Sequence, residues 1–126
     1  MGDGALRVTR DRAHLGHYQI EIEAEVGLDV DVIGKALESS RYGLADFDEW
    51  GRTYLSAGDP YLEIDVDALD DYGDRSRLRM RKSRIPEREV SRMKGHLLEA
   101  YCSVGRELAA LSREYCTIAY PETNGY

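Results

Sequence analysis

Arg77-Leu78-Arg79-Met80-Arg81 alternates strictly between cationic and apolar side chains, and two other stretches repeat that period with the opposite sign. Tyr18 to Val26 sets Ile20, Ile22, Ala24 and Val26 against Glu21, Glu23 and Glu25, while Leu62 to Ala68 sets Leu62, Ile64 and Val66 against Glu63, Asp65 and Asp67. Successive side chains of an extended chain point to opposite faces, so a period of two marks strands with one buried and one wet face. Opposite charges facing each other across neighbouring strands stabilise by roughly 0.2 to 1 kcal/mol per pair, and like charges do the reverse. The arginine strand therefore belongs between the two acidic ones.

Working outward, Tyr61 to Leu69 and Arg75 to Ile85 are joined by Asp70-Asp71-Tyr72-Gly73-Asp74, a short Asp and Gly connection that reads as a hairpin. The first strand, Gly16 to Val26, ends at Gly27, after which Val30, Ile33 and Leu37, with Val32 and Ala36, show the three-and-four spacing of an amphipathic helix. A second helix is expected from Asp46, with Glu49 completing a capping box and Phe47, Trp50, Tyr54 and Leu55 forming its apolar face up to Ala57-Gly58-Asp59-Pro60. Beyond Pro86, the residues Val90, Met93, Leu97, Tyr101, Val104, Leu108, Leu111 and Tyr115 mark a long helix with one apolar stripe. Gly95 and Gly105 interrupt it at about 1 kcal/mol each, which suggests close packing or a kink. Cys116 to Tyr120, closed by Pro121, suggests a short fourth strand.

These elements make an α+β chain, β-α(α)-β-β-α-(β), with helices on one face of an antiparallel sheet in the order four, one, three, two. The crossover from the first to the second strand is expected to be right-handed. This topology resembles the ferredoxin-like arrangement. The chain reads as a single domain over 1–126, with residues 1–15 as an arm and 121–126 as a tail.

At 126 residues the chain can bury a core without staples. Its net charge of −7 and pI near 4.9 repel nucleic acid and anionic membranes unless a basic patch is segregated, and the basic stretch from Arg75 to Arg92 is the one place for such a patch. Cys102 and Cys116 lie fourteen residues apart on or beside one helix, roughly 21 Å at 1.5 Å per residue, which is beyond disulfide reach. Reduced thiols point to a cytoplasmic setting. The polar start of the chain offers no signal-peptide core, and no segment has the apolar length to span a bilayer.

The motifs of chemistry are sparse. His14-Leu15-Gly16-His17 has a spacing that metals use, but zinc needs three or four ligands, and His96 and the cysteines complete no recognised pattern. Asp65, Asp67, Asp70, Asp71 and Asp74 fail the calcium-loop register, because Leu69 occupies a ligand position and no glutamate closes the loop. No metal or other cofactor is expected. Neither a nucleophile elbow, a Walker sequence nor a dinucleotide fingerprint is present, so an enzyme is not the leading expectation. Cys102 and Cys116 read as small buried hydrophobes.

Nine tyrosines stand against one phenylalanine and one tryptophan. Tyr42, Tyr54, Tyr61, Tyr72, Tyr120 and Tyr126 fall near element ends, where they would either form a contact surface or cover the rim of a small core. The leading expectation is thus a small acidic interaction module, an inhibitor or regulator of the immunity or phage anti-defence type. It would occlude a protein partner, such as a basic nucleic-acid-processing protein, through Glu21, Glu23, Glu25, Asp70, Asp71, Tyr72 and Asp74. Alternatives are a homodimeric ferredoxin-like domain that binds a small molecule or acts as a small enzyme, and a nucleic-acid binder using Arg77, Arg79 and Arg81. Self-association through the long helix is a further expectation.

Overall fold

A computed structural model describes residues 5–10, 15–59, 62–69 and 75–115. Six strands form one antiparallel sheet: β1 (Ala5–Arg10), β2 (His17–Val26), β3 (Tyr42–Phe47), β4 (Gly51–Ser56), β5 (Leu62–Ala68) and β6 (Ser76–Pro86). Two helices accompany them, α1 (Val30–Ser39) between β2 and β3, and α2 (Val90–Tyr115) after a 3-10 turn at Glu87–Glu89. The order across the sheet is β1-β2-β6-β5-β4-β3.

The arginine strand β6 lies between the acidic β2 and β5, but the ferredoxin-like order is wrong. Two features overturn it. The position beside β2 expected for a fourth strand is held by β1, which comes from the expected arm and is paired from Ala5↔Glu23 to Arg10↔Tyr18. Cys116 to Tyr120 lies outside the described residues. On the other side of the sheet, the expected second helix is a hairpin, with β3 and β4 adding two strands beyond β5.

The hairpin replaces the helix for local reasons. Gly51 falls at the centre of the proposed helix, where glycine is a poor former, and Thr53 and Tyr54 favour a pleated surface. Asp48 makes the turn, its carboxylate accepting from the backbone N–H of Trp50 at 2.8 Å and of Gly51 at 2.9 Å. Asp46, expected to cap a helix, instead accepts from the neighbouring N–H of Phe47 at 2.9 Å. A bulge between Leu44 and Asp46 breaks the period-two pattern that would have disclosed β3 in the sequence.

Helix α1 begins where Asp29 caps it, accepting from Val32 N–H at 2.8 Å, and it buries Ile33, Ala36 and Leu37 over β3, β4 and β5. Helix α2 lies across β2 and β6 and buries Leu97, Tyr101, Val104 and Leu108. Between helices and sheet sit Ile20, Ile22, Ala24 and Val26, Ile64 and Val66, and Leu78 and Met80, the inward parity of the three alternating strands. A Cβ added at Gly95 or Gly105 would meet nothing within 4 Å, so close packing does not explain those glycines. Both helices cover the same face. The other face of the sheet carries the charges.

Candidate interaction surface

Register places the charged residues in rows. Glu21, Glu23 and Glu25 stand opposite Arg81, Arg79 and Arg77, and the same arginines stand opposite Glu63, Asp65 and Asp67 on the far side. Glu21 lies 3.0 Å from Arg7 and 3.9 Å from Arg79, Glu23 lies 3.4 Å from Arg79 and 3.9 Å from Arg77, and Glu25 lies 3.1 Å from Arg75. Arg81 pairs with Glu63 and, at 3.1 Å, with Asp65, which also accepts from the Thr53 hydroxyl at 2.9 Å. Five carboxylates, Glu21, Glu23, Glu25, Glu63 and Asp65, meet five guanidiniums, counting Arg7 and Arg75. The expected partner-binding residues Glu21, Glu23 and Glu25 and the alternative nucleic-acid row Arg77, Arg79 and Arg81 thus all pair within the sheet, Glu21 and Glu23 with Arg79 and Arg77, Glu25 with Arg75, and Arg81 with Glu63 and Asp65. Asp70, Asp71, Tyr72 and Asp74 lie outside the described residues.

The lattice ends at β4, and a different surface begins. Leu44, Phe47, Trp50 and Leu55 are all exposed, Phe47 to 71% and Trp50 to 55%. Cross-strand partners share a face. Leu44 opposite Tyr54 and Phe47 opposite Arg52 therefore lie on the helix side, and Leu55 opposite Glu63 lies on the charged side. The apolar atoms wrap the outer edge of the sheet and its turn. A shallow depression lined by Arg41, Tyr42, Leu44, Leu55 and Ala57 lies at the other end of the same hairpin. Asp46, Asp48 and Glu49 are exposed among the aromatics, and among the described residues no cation pairs with them. The nearby Arg52 is committed to Asp31.

The spacing of Phe47, Trp50, Tyr54 and Leu55 suits the buried face of a helix as well as it suits a hairpin, so the sequence does not disclose this tip. The available signal was Gly51, together with an Asp-rich turn flanked by β-forming residues. Gly51 is required here: a methyl group at that position would fall 2.9 Å from the Val66 carbonyl oxygen and overlap the Asp67 carboxylate.

A second cluster lies inside. Lys82 continues the inward parity of β6, is 4% exposed, and pairs with Asp59 from the connection between β4 and β5, with its Nζ 3.8 Å from Met93 Sδ on α2. Burial, and secondarily the Asp59 charge, pushes the Tyr42 phenol above its ordinary value. The pair ties a loop, a strand and a helix together.

Other sequence candidates are dispersed. His14 is outside the described residues, the His17 ring lies 3.1 Å from the Leu15 carbonyl oxygen, and His96 is exposed on α2. Among the described residues no cluster of three or more His, Cys, Asp or Glu is placed to hold a metal ion. Tyr54 is fully buried in the core, Tyr42 is partly buried, and Tyr61, Tyr72, Tyr120 and Tyr126 fall outside the described residues. Cys102 is a free thiol of intermediate exposure, not a buried hydrophobe, and Cys116 is not among the described residues. No helix of the described residues is long and apolar enough to cross a membrane. Compared with protein-family models, curated proteins and solved structures, the chain matches none.

Proposed function

We propose that this protein is an interaction module that binds a protein partner through the tip and outer edge of the β3–β4 hairpin and acts by covering the partner's surface. The observation that carries the reading is the exposure of Leu44, Phe47, Trp50 and Leu55 together on one hairpin. Single surface hydrophobes are ordinary, but four large ones gathered on one hairpin, on both of its faces and at its turn, mark a contact site. Burying a side chain of this size stabilises by about 1.5 to 3 kcal/mol, and tryptophan is enriched among the residues that dominate binding energy. Occlusion of the partner, as an inhibitor or regulator, is the mode of action such a presented tip supports.

The test is affinity capture from the source cells with wild-type protein and with the F47S/W50S double variant. A partner retained by the wild type and lost by the variant is expected. Failure of the wild type to retain any partner, or equal retention by the variant, removes the proposal.

A further inference from the structure

The hairpin's apolar side chains are interleaved with acids in the run Asp46-Phe47-Asp48-Glu49-Trp50. Resting on the reading of this hairpin as a docking surface, we infer that the partner face it fits is cationic: an apolar recess on a protein, rimmed by lysine or arginine. The inference comes from where the chain's negative charge is and is not balanced. Across the charged face of the sheet five carboxylates pair with five guanidiniums, so that face presents little net field. At the hairpin tip three carboxylates have no cation paired with them among the described residues. Their field falls on the same few ångströms of surface as Phe47 and Trp50. A basic rim would complement it, speeding encounter and selecting orientation while the aromatics supply most of the affinity.

Other occupants fit less well. A second copy docked tip to tip would bring two sets of these acids together, a like-charge juxtaposition that costs several kcal/mol at an interface. An anionic lipid surface repels the tip for the same reason. Addition of a partner strand along β3 would meet the bulge between Leu44 and Asp46, a device that interrupts edge pairing. Side-chain docking of the tip remains.

Trp50 is the chain's one tryptophan and reports directly on the surface in question. The probes are an amphipathic helical peptide of leucine and lysine, its counterpart with glutamate for every lysine, and vesicles of phosphatidylcholine with and without phosphatidylserine. The lysine peptide is expected to shift Trp50 emission to shorter wavelength, with affinity falling about tenfold between low and physiological salt as the tip's charges are screened. Peptide anisotropy should show a similar, roughly tenfold loss for D46N/D48N/E49Q and less than about twofold for E38Q/E99Q/E107Q, which removes the same charge from exposed helical positions. Equal binding of the glutamate peptide, or equal losses in the two charge variants, overturns the cationic assignment. So does a Trp50 shift on either vesicle, or a solution mass of two chains that F47S/W50S returns to one. If F47S/W50S weakens the lysine peptide while D46N/D48N/E49Q does not, the hairpin is still a docking surface but its partner is not basic. If F47S/W50S has no effect, the docking reading itself fails.

Discussion

Gly34 and Tyr54 show how single positions determine the fit of α1 on the sheet. The Tyr54 side chain is completely buried and runs beneath the helix, and a methyl group at Gly34 would overlap its hydroxyl and sit 2.9 Å from an Arg52 guanidinium nitrogen. Replacing a helix glycine by alanine ordinarily gains about 1 kcal/mol. Here overpacking reverses the sign, and Gly34→Ala should lose about 1 to 3 kcal/mol in chemical denaturation. Tyr54→Phe in the same chain should reduce that loss, because it removes the hydroxyl that the methyl would strike. A second residue carries the pH dependence. Burial above all, with the carboxylates of Asp65 and Asp48, holds the Asp67 carboxyl above its ordinary range against the pull of Arg79 and Arg77. A folded-state pKa above the unfolded one means that protonation favours folding, so this contribution is present below the unfolded pKa and lost as pH rises through the folded one. Asp67→Asn should therefore gain stability relative to wild type at neutral pH, and the gap should close by about pH 3. Unfolding midpoints of the two proteins across that range measure it, and a gap that widens on acidification would contradict the sign.

Among the elements, β6 contributes to both faces. Outward it carries the arginine row, whose pairs are individually modest at such exposure but cumulatively hold β2 and β5 in register. Inward, the row Ser76, Leu78, Met80 and Lys82 is apolar in the middle and polar at its ends. Ser76 donates to the Leu28 carbonyl oxygen at 2.8 Å, and Lys82 pairs with Asp59. Removing Asp59 leaves a buried ammonium uncompensated, whereas replacing Lys82 by an apolar chain of similar length leaves only the Asp59 carboxylate, which is partly exposed to water. Lys82→Met should stay within about 1 kcal/mol of wild type, and Asp59→Asn should lose about 1 to 3 kcal/mol, less than a fully enclosed pair because Asp59 is partly exposed. Denaturation curves for the two variants decide it. The inward place of Lys82 was legible in the parity of β6, since it follows Leu78 and Met80 by twos. Its partner was not, because Asp59 comes from a loop whose position depends on the hairpin before it.

For the whole molecule, the decisive division is between apolar surface placed inside and apolar surface left outside. Were Phe47 and Trp50 the buried face of a helix, truncating them would cost about 3 to 5 kcal/mol each. On the exposed hairpin, F47S/W50S should leave the unfolding midpoint nearly unchanged, within about 0.5 kcal/mol, as a calorimetric scan would show. The amino-acid sequence by itself determined the three alternating strands, their inward and outward faces, the placement of the arginine strand between two acidic ones, and helices α1 and α2. Those features follow from periodicity and from charge opposition between neighbours, which are local properties of a chain. Only the tertiary structure decided that residues 42–56 are a hairpin, that β1 takes the place beside β2, and that five acids of the sheet pair with arginines while those of the hairpin tip do not. These outcomes depend on register, on a bulge that hides alternation, and on which charges meet across distant segments, and no spacing within the sequence records them.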